Sequence, residues 1–276
     1  MFCDCPTILS SEPPSLIVER RLRPTQSELG QIDPAVLFEF HKGRTIKYEA
    51  DPETTDLVEL DEEPPHRLNE EAIDIALTIT ALFNARPMDE IHVMRKVVID
   101  GSNTTGFQRT AIISLDGRLQ VDGKEIPIQQ ITLEEDSGRK TEESKNSVTF
   151  RLDRLGVPLI EISTGADINH PEEASRVAFA IGKLLRATKS VKRGLGSIRQ
   201  DLNISIKNGA LIEIKGVQEL ELVAKVIELE VQRQTILLQI RDELRTRNLK
   251  PADFTEILLI SRSNSHRPSR KLFSLL

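Results

Sequence analysis

No apolar run approaches the ~18 residues needed to cross a bilayer, and Asp4, Glu12, Glu19 and Arg20 interrupt the stretch where a secretory signal would be continuous and apolar. The expectation is therefore a cytoplasmic chain with no membrane partner. Cysteine is scarce: Cys3 and Cys5 are too close for an ordinary structural disulfide and too few for a zinc site, so they read as two reduced thiols near a frayed end. No segment repeats at a fixed period, which excludes solenoids and propellers. Acids are missing from residues 183 to 199, which carry Lys183, Arg186, Lys189, Lys192, Arg193 and Arg199, and again from Ser261 to Leu276.

What remains is an ordinary globular composition, 38% hydrophobic and 29% charged over 276 residues, enough for one large core or two small ones. The net charge of −6 is unevenly spread: residues 49 to 74 hold eleven acids against one base, Arg67. The basic stretch at 183 to 199 has two readings. It is either a stripe that meets an anionic partner such as nucleic acid, or cations placed where the last turns of a helix favour them.

Three consecutive carboxylates followed by a glycine and an arginine, Leu133-Glu134-Glu135-Asp136-Ser137-Gly138-Arg139, close an expected strand. Downstream, Gly156-Val157-Pro158-Leu159-Ile160-Glu161-Ile162 sets one acid into an apolar strand, where an ionised side chain costs several kcal/mol unless paired. Magnesium takes one or two protein carboxylates and fills the rest of its octahedron with water and phosphate oxygens. Glu135 with Glu161 is therefore the expected ligand pair, against the plain alternative of a solvated acidic face. The loop Gly101-Ser102-Asn103-Thr104-Thr105-Gly106-Phe107-Gln108-Arg109 offers amides, hydroxyls and an arginine to a phosphate, yet it lacks a Walker lysine and a following helix.

Around these motifs the pattern predicts short strands at 15–20, between 37 and 48, and at 56–60. A helix opens at Asn69 and ends by Pro87. A strand at 91–99 follows, then strands at 108–115, 118–121 and 125–134 joined by Asp116-Gly117 and Asp122-Gly123, dipeptides that favour tight antiparallel hairpins. Residues 141–146 read as a mobile polar loop. A helix opens at Pro171, Asn208-Gly209 marks a further hairpin, and a long helix runs from Glu219 to about Arg247. The last sixteen residues read as a tail.

Several ordered motifs then point one way. Phe2-Cys3-Asp4-Cys5-Pro6-Thr7, the run from Leu57 to Pro65, the stretches Asp89 to Lys96 and Asp100 to Thr110, the two acidic motifs above, Arg193 to Asn203 and Glu213 to Leu220 resemble the kinase-subunit family of the glutamyl-tRNA(Gln) amidotransferases, GatB/GatE, in its archaeal GatE branch. The resemblance covers residues 1 to about 250. It implies an α+β fold, an antiparallel sheet cradle with packed helices and a catalytic domain like that of glutamine synthetase. The implied activity uses ATP and magnesium to phosphorylate the γ-carboxylate of glutamate mischarged on tRNA(Gln). Ammonia from an asparaginase-like partner subunit of the amidotransferase then displaces the phosphate.

By motif position the resemblance makes Glu135 and Glu161 magnesium ligands, with Glu134 and Asp136 behind them or on a second ion. Arg139 joins the catalytic group, and Arg109, Arg199 and the loop residues Gly101, Ser102, Asn103, Thr104 and Gly106 are candidates for phosphate. The implied domains are a catalytic cradle at 1–217 lacking a first strand that carries a glutamate and a histidine, and a helical segment at 218–260 leading to missing insert and tail domains that grip tRNA; the basic tail at 261–276 is aberrant and matches nothing the resemblance leads one to expect. A truncated, non-catalytic fragment that binds tRNA or a partner is the alternative.

Overall fold

In the computed structural model, the residues described are all but 4, 23, 25, 27, 28, 195, 251–252, 259–270 and 276. The chain forms strand β1 (Leu16–Arg21), helix α1 (Pro34–His41), β2 (Thr45–Ala50), helix α2 (Glu70–Leu82), β3 (Arg86–Pro87), β4 (Val93–Val97), β5 (Phe107–Val121), β6 (Lys124–Glu135), β7 (Arg139–Glu143), β8 (Ser147–Arg151) and β9 (Pro158–Thr164). Helix α3 (Pro171–Ala187), β10 (Leu202–Ile204), β11 (Ile212–Ile214), helix α4 (Leu220–Thr246), β12 (Phe254–Leu258) and β13 (Lys271–Leu275) follow. No helix among the described residues is long and apolar enough to cross a membrane.

The chain divides into two compact units, Met1–Asn169 with Ala180–Arg193, and His170–Phe179 with Gly194–Leu276. In the first, one sheet runs β1-β2-β8-β7 and the other β3-β5-β6-β9 with β4 also on β5. The second sheet is wholly antiparallel, as expected. The first is mixed, because β2 lies parallel to β8. The α+β class holds.

Helix α2 covers one face of the larger sheet. Its cap, Asn69, accepts from Ala72 N at 2.9 Å, and Glu70 and Glu71 suit the positive end of the dipole. Ala72 and Ala76 then pack on Ala111, Ile113 and Leu133, with Met1, Phe2 and Val58 closing the cluster. A separate core of Ile46, Tyr48, Ala50, Val148, Phe150 and Leu152 lies on the mixed sheet. In the second unit, Gln234 of α4 donates to Ile204 O of the β10–β11 hairpin at 3.1 Å.

Four local expectations are corrected. Part of the stretch 37–48 is helix, because Asp33 caps α1 through Ala35 N at 2.7 Å with Pro34 in the first turn. Residues 56–60 are turns, not a strand: Asp56 Oδ1 takes Val58 N at 2.7 Å and folds the backbone on itself. Residues 141–143 belong to β7, paired with β8. Asp116-Gly117 makes no hairpin: β5 stays paired with β6 on both sides of it, even though Asp116 has φ 58°, whereas Asp122-Gly123 does turn, both residues having positive φ. The stretch 261–270 read as tail lies outside the described residues, and Lys271–Leu275 pairs with Phe254–Leu258.

Gly117 serves packing instead. A β-carbon there would lie 2.9 Å from Ala85 Cβ and 3.2 Å from Phe83 O, where Arg118 N bonds the end of α2 at 2.7 Å. Gly117→Ala is expected to lower the unfolding free energy by about 1–3 kcal/mol through overpacking. Urea denaturation measures it, and an unchanged midpoint would refute the role.

Candidate active site

A strand sends successive side chains to opposite faces, so Glu134 and Glu135, which close β6, do not turn to one ion, and Asp136 follows just after the strand. Each has a different cation. Glu134 Oε1 lies 2.7 Å from Lys96 Nζ, Glu135 Oε1 3.2 Å from Arg109 Nη1, and Asp136 Oδ2 3.3 Å from Arg154 Nε.

Cross-strand register sorts the faces, because residues directly opposite one another share a face. Leu133 opposes Ala111 and Ile160, so the face of Leu133 and Glu135 is the one packed under α2. Thr132 opposes Glu161, and Glu134 opposes Thr110 and Leu159, so Glu134, Thr132, Thr110 and Glu161 share the reverse face. Glu135 and Glu161 therefore point to opposite sides of the sheet. The expected ligand pair is corrected: these two cannot hold one ion between them.

The carboxylate that shares a face with Glu161 is Glu134, its diagonal neighbour, a relation that puts backbone positions about 7–8 Å apart. Glu134 also receives Thr110 Oγ1 and Gln108 Nε2, each at 3.3 Å. Glu161 is exposed. Between them Thr132 is 2% exposed, and its hydroxyl makes no hydrogen bond among the described residues. A buried hydroxyl without a partner costs about 1–3 kcal/mol unless something on that face satisfies it. Two acids beside such a hydroxyl make a donor set of the kind a hydrated divalent cation uses, and Glu135 lies on the other face of the sheet.

Glu135 and Arg109 form a buried pair, the guanidinium standing 5.3 Å from the ring centre of Phe2 and 5.4 Å from that of Phe107. Burial pushes the Glu135 carboxyl above its usual range, and Arg109 opposes the shift. Arg109 is thus occupied within the protein and does not face outward to a phosphate. Arg139 is occupied likewise: its Nη2 lies 2.7 Å from Asp153 Oδ2 and 2.9 Å from Ser10 O, and the hydrogen bond to Asp153 raises its pKa. It clamps the N-terminal segment to the mixed sheet. Arg199 is exposed and belongs to the second unit.

The glycine-bounded loop meets the acidic motif by holding it. Gly138 N donates to Ser102 O at 2.8 Å and Ser137 Oγ to Asn103 Oδ1 at 3.0 Å. Ser102 spends its amide and hydroxyl on Asp100 Oδ1, Thr104 Oγ1 reaches Glu59 O, and Gly106 N returns to Asn103 O. Gly101, at φ 85°, takes Tyr48 Oη on its carbonyl, and a β-carbon there would sit 2.4 Å from Ile46 Cδ1. These donors are directed inward, so the loop is a brace and the expected phosphate cradle is not formed by Ser102, Thr104 or Gly106.

Sequence reasoning missed Lys96 and Thr132. The period-two alternation along β6 would have separated Glu134 from Glu135. Nothing in the sequence gives the β6–β9 register that seats Thr132 opposite Glu161.

An antiparallel sheet backed by one helix, with carboxylates on its reverse face, fits a catalytic domain, and residues 1–267 match the GatB/GatE catalytic domain. The chain belongs to that family. Its relatives include a glutamyl-tRNA(Gln) amidotransferase subunit of the GatE type from Pyrococcus abyssi, 58% identical over 256 residues that cover 93% of this chain and 40% of that protein. The subunit of the same name from Aeropyrum pernix is 54% identical over 271 residues, 95% of this chain and 42% of that protein. The one from Saccharolobus solfataricus is 58% identical over 249 residues, 90% and 39% respectively. The chain thus spans about two fifths of the length of the curated relatives it matches.

Proposed function

We propose that this chain is the kinase cradle of a tRNA-dependent amidotransferase, acting on glutamate attached to tRNA(Gln), with ATP as phosphoryl donor and magnesium at Glu134 and Glu161. The observation that carries the reading is the shared face of those two carboxylates with the Thr132 hydroxyl, unpartnered among the described residues, between them. In the proposed reaction an oxygen of the γ-carboxylate attacks the terminal phosphorus of ATP and ADP leaves. Ammonia then attacks the acyl carbon and phosphate departs. The phosphate is needed because a free carboxylate is anionic and offers ammonia a poor leaving group.

Bound magnesium would supply charge neutralisation to the phosphates. This chain's residues supply position. Lys96, half exposed and anchored on Glu134, presents a cation on the same face, and Gln108 and Thr110 fix the Glu134 carboxylate. The brace of 101–106 against 137–138 holds the end of β6 so that the face keeps its geometry. An asparaginase-like amidotransferase partner as ammonia source, and a catalytic domain folded like glutamine synthetase, are parts of the same proposal.

Five exposed cations of the first unit, Lys183, Arg186, Lys189, Lys192 and Arg193, support a tRNA-docking role beside the catalytic one or in place of it. Calorimetric titration with ATP separates the readings. A kinase cradle is expected to bind nucleotide only when magnesium is present. Salt-sensitive tRNA binding with no magnesium-dependent nucleotide heat would leave docking alone.

A further inference from the structure

A cavity of about 80 Å³ opens in the first unit at the end of the mixed-sheet core, several times the roughly 10–15 Å³ that one water needs. Its floor is aliphatic, made by Leu22, Ile46, Ile99 and Val148, with Phe40 of α1 at the edge. Ile46 and Val148 are core side chains, 4% and 6% exposed, and Leu22 packs on the same cluster. The rim is charged: Arg21 and Arg44 stand with Glu39 and Asp100. We infer that this cavity binds a small aliphatic α-amino acid as its zwitterion, with the carboxylate on Arg21, the ammonium on Asp100 and the side chain on the floor.

The rim divides into groups already engaged and groups still available. Arg44 Nη1 lies 2.9 Å from Glu143 Oε1 and its Nη2 3.4 Å from Glu39 Oε2, while Glu39 Oε1 also holds Lys42 Nζ at 2.5 Å. Those two side chains are therefore committed to one another and to their neighbours. Arg21, at the end of β1, is exposed and has no ion-pair partner among the described residues. Asp100 accepts Ser102 N at 3.0 Å and Ser102 Oγ at 2.7 Å, both on Oδ1, which leaves Oδ2 for a ligand.

Charge selects the class of molecule. With two cations and two acids the rim sums to zero, so a bare anion meets Asp100 and Glu39 as well as Arg21, and a bare cation meets both arginines. A zwitterion satisfies Arg21 and Asp100 together. The floor adds preference for an aliphatic side chain, because apolar surface leaving water is favourable in proportion to its area. An apolar lining with a few placed polar groups is the usual composition of a small-molecule site.

The site touches the brace through Asp100. Ser102, held by Asp100, receives Gly138 N on its carbonyl at 2.8 Å, and Gly101 O takes Tyr48 Oη at 2.7 Å. Tyr48 is the sole tyrosine of a chain without tryptophan, so its emission reports on this corner. Neither nucleotide nor magnesium enters the test, and its failure is distinct from failure of the kinase reading.

The full chain is titrated calorimetrically with L-valine while Tyr48 fluorescence is followed. Expected are a saturable heat for one site and a matching change in emission. Glycine, which leaves the floor uncovered, should bind about 10-fold more weakly. N-acetylvaline and valinamide, each lacking one of the two charges, should also bind about 10-fold more weakly, because each forfeits a charge-assisted hydrogen bond. Arg21→Gln alters an exposed side chain outside the core; it is expected to weaken L-valine about 10-fold and to leave valinamide, which has no carboxylate, unchanged. No saturable heat at millimolar L-valine, N-acetylvaline binding as tightly as L-valine, or an Arg21→Gln variant that binds L-valine normally would each overturn the site.

Discussion

Arg109→Ala is expected to lower the unfolding free energy by about 3–5 kcal/mol, the usual consequence of removing one partner from a buried ion pair. The loss comes from the acid left behind. Arg109 and Glu135 are both buried, and the guanidinium also covers the rings of Phe2 and Phe107. Without the arginine, Glu135 has to ionise in a dry site or keep its proton.

The pH dependence follows from the direction of the shift. Burial already raises the folded-state pKa of Glu135 above its ordinary value even with Arg109 opposing. A carboxyl raised in this way binds its proton more tightly when folded. The stability it contributes is full below the unfolded pKa and lost as pH rises through the folded one. In Arg109→Ala the raise is larger, so the deficit should be greatest near neutral pH and shrink on acidification toward the carboxylate range. The double variant Arg109→Met, Glu135→Leu should recover much of the loss, because it leaves no unpaired charge. Chemical denaturation across pH measures all three. A deficit under about 1 kcal/mol, or one that grows on acidification, would show that the pair does not hold the sheet's end as described.

The second large effect concerns the opposite face. Glu134→Gln and Glu161→Gln are each expected to weaken magnesium-dependent ATP binding by about 100-fold or more, since changes to outer partners of metal ligands already cost about 10–100-fold. Magnesium draws only one or two carboxylates from a protein, so losing either is severe. Glu135→Gln is expected to act mainly on stability, through Arg109, at unchanged nucleotide affinity in the folded fraction. Calorimetry with and without magnesium, on variants whose folding is checked by circular dichroism, gives the comparison. If Glu135→Gln abolished nucleotide binding while Glu134→Gln left it intact, the side of the sheet assigned to the ion would be wrong.

Much of the architecture was legible beforehand because its signals are local. Asn69 with Glu70 and Glu71 marks the start of α2, Pro171 opens α3, and Asp122-Gly123 turns β5 into β6. Local chemistry also deceived. Asp116-Gly117 has the composition of a turn, but glycine is required there by the approach of Phe83 and Ala85, which lie far back along the chain and outside any short window. The run at 56–60 looks like a strand by its apolar residues, yet side-chain bonds from Asp56 fold it. Arg109 and Arg139 are arginines close to glycines, the composition of a phosphate site. Their partners, Glu135 and Asp153, take them out of that role.

The amino-acid order by itself determined that a run of three acids closes a strand, that one further acid interrupts an apolar strand, and to which family the chain belongs. Those properties reside in short stretches and survive without coordinates. The partners of each acid were decided only when the strands paired. The pleat sends neighbours to opposite faces, and register, fixed by packing on α2 and by bulges near residues 113 and 129, chose Glu134 to share a face with Glu161. The same long-range folding set Arg21 and Asp100 from well-separated parts of the chain on the rim of one cavity, a grouping no local pattern encodes.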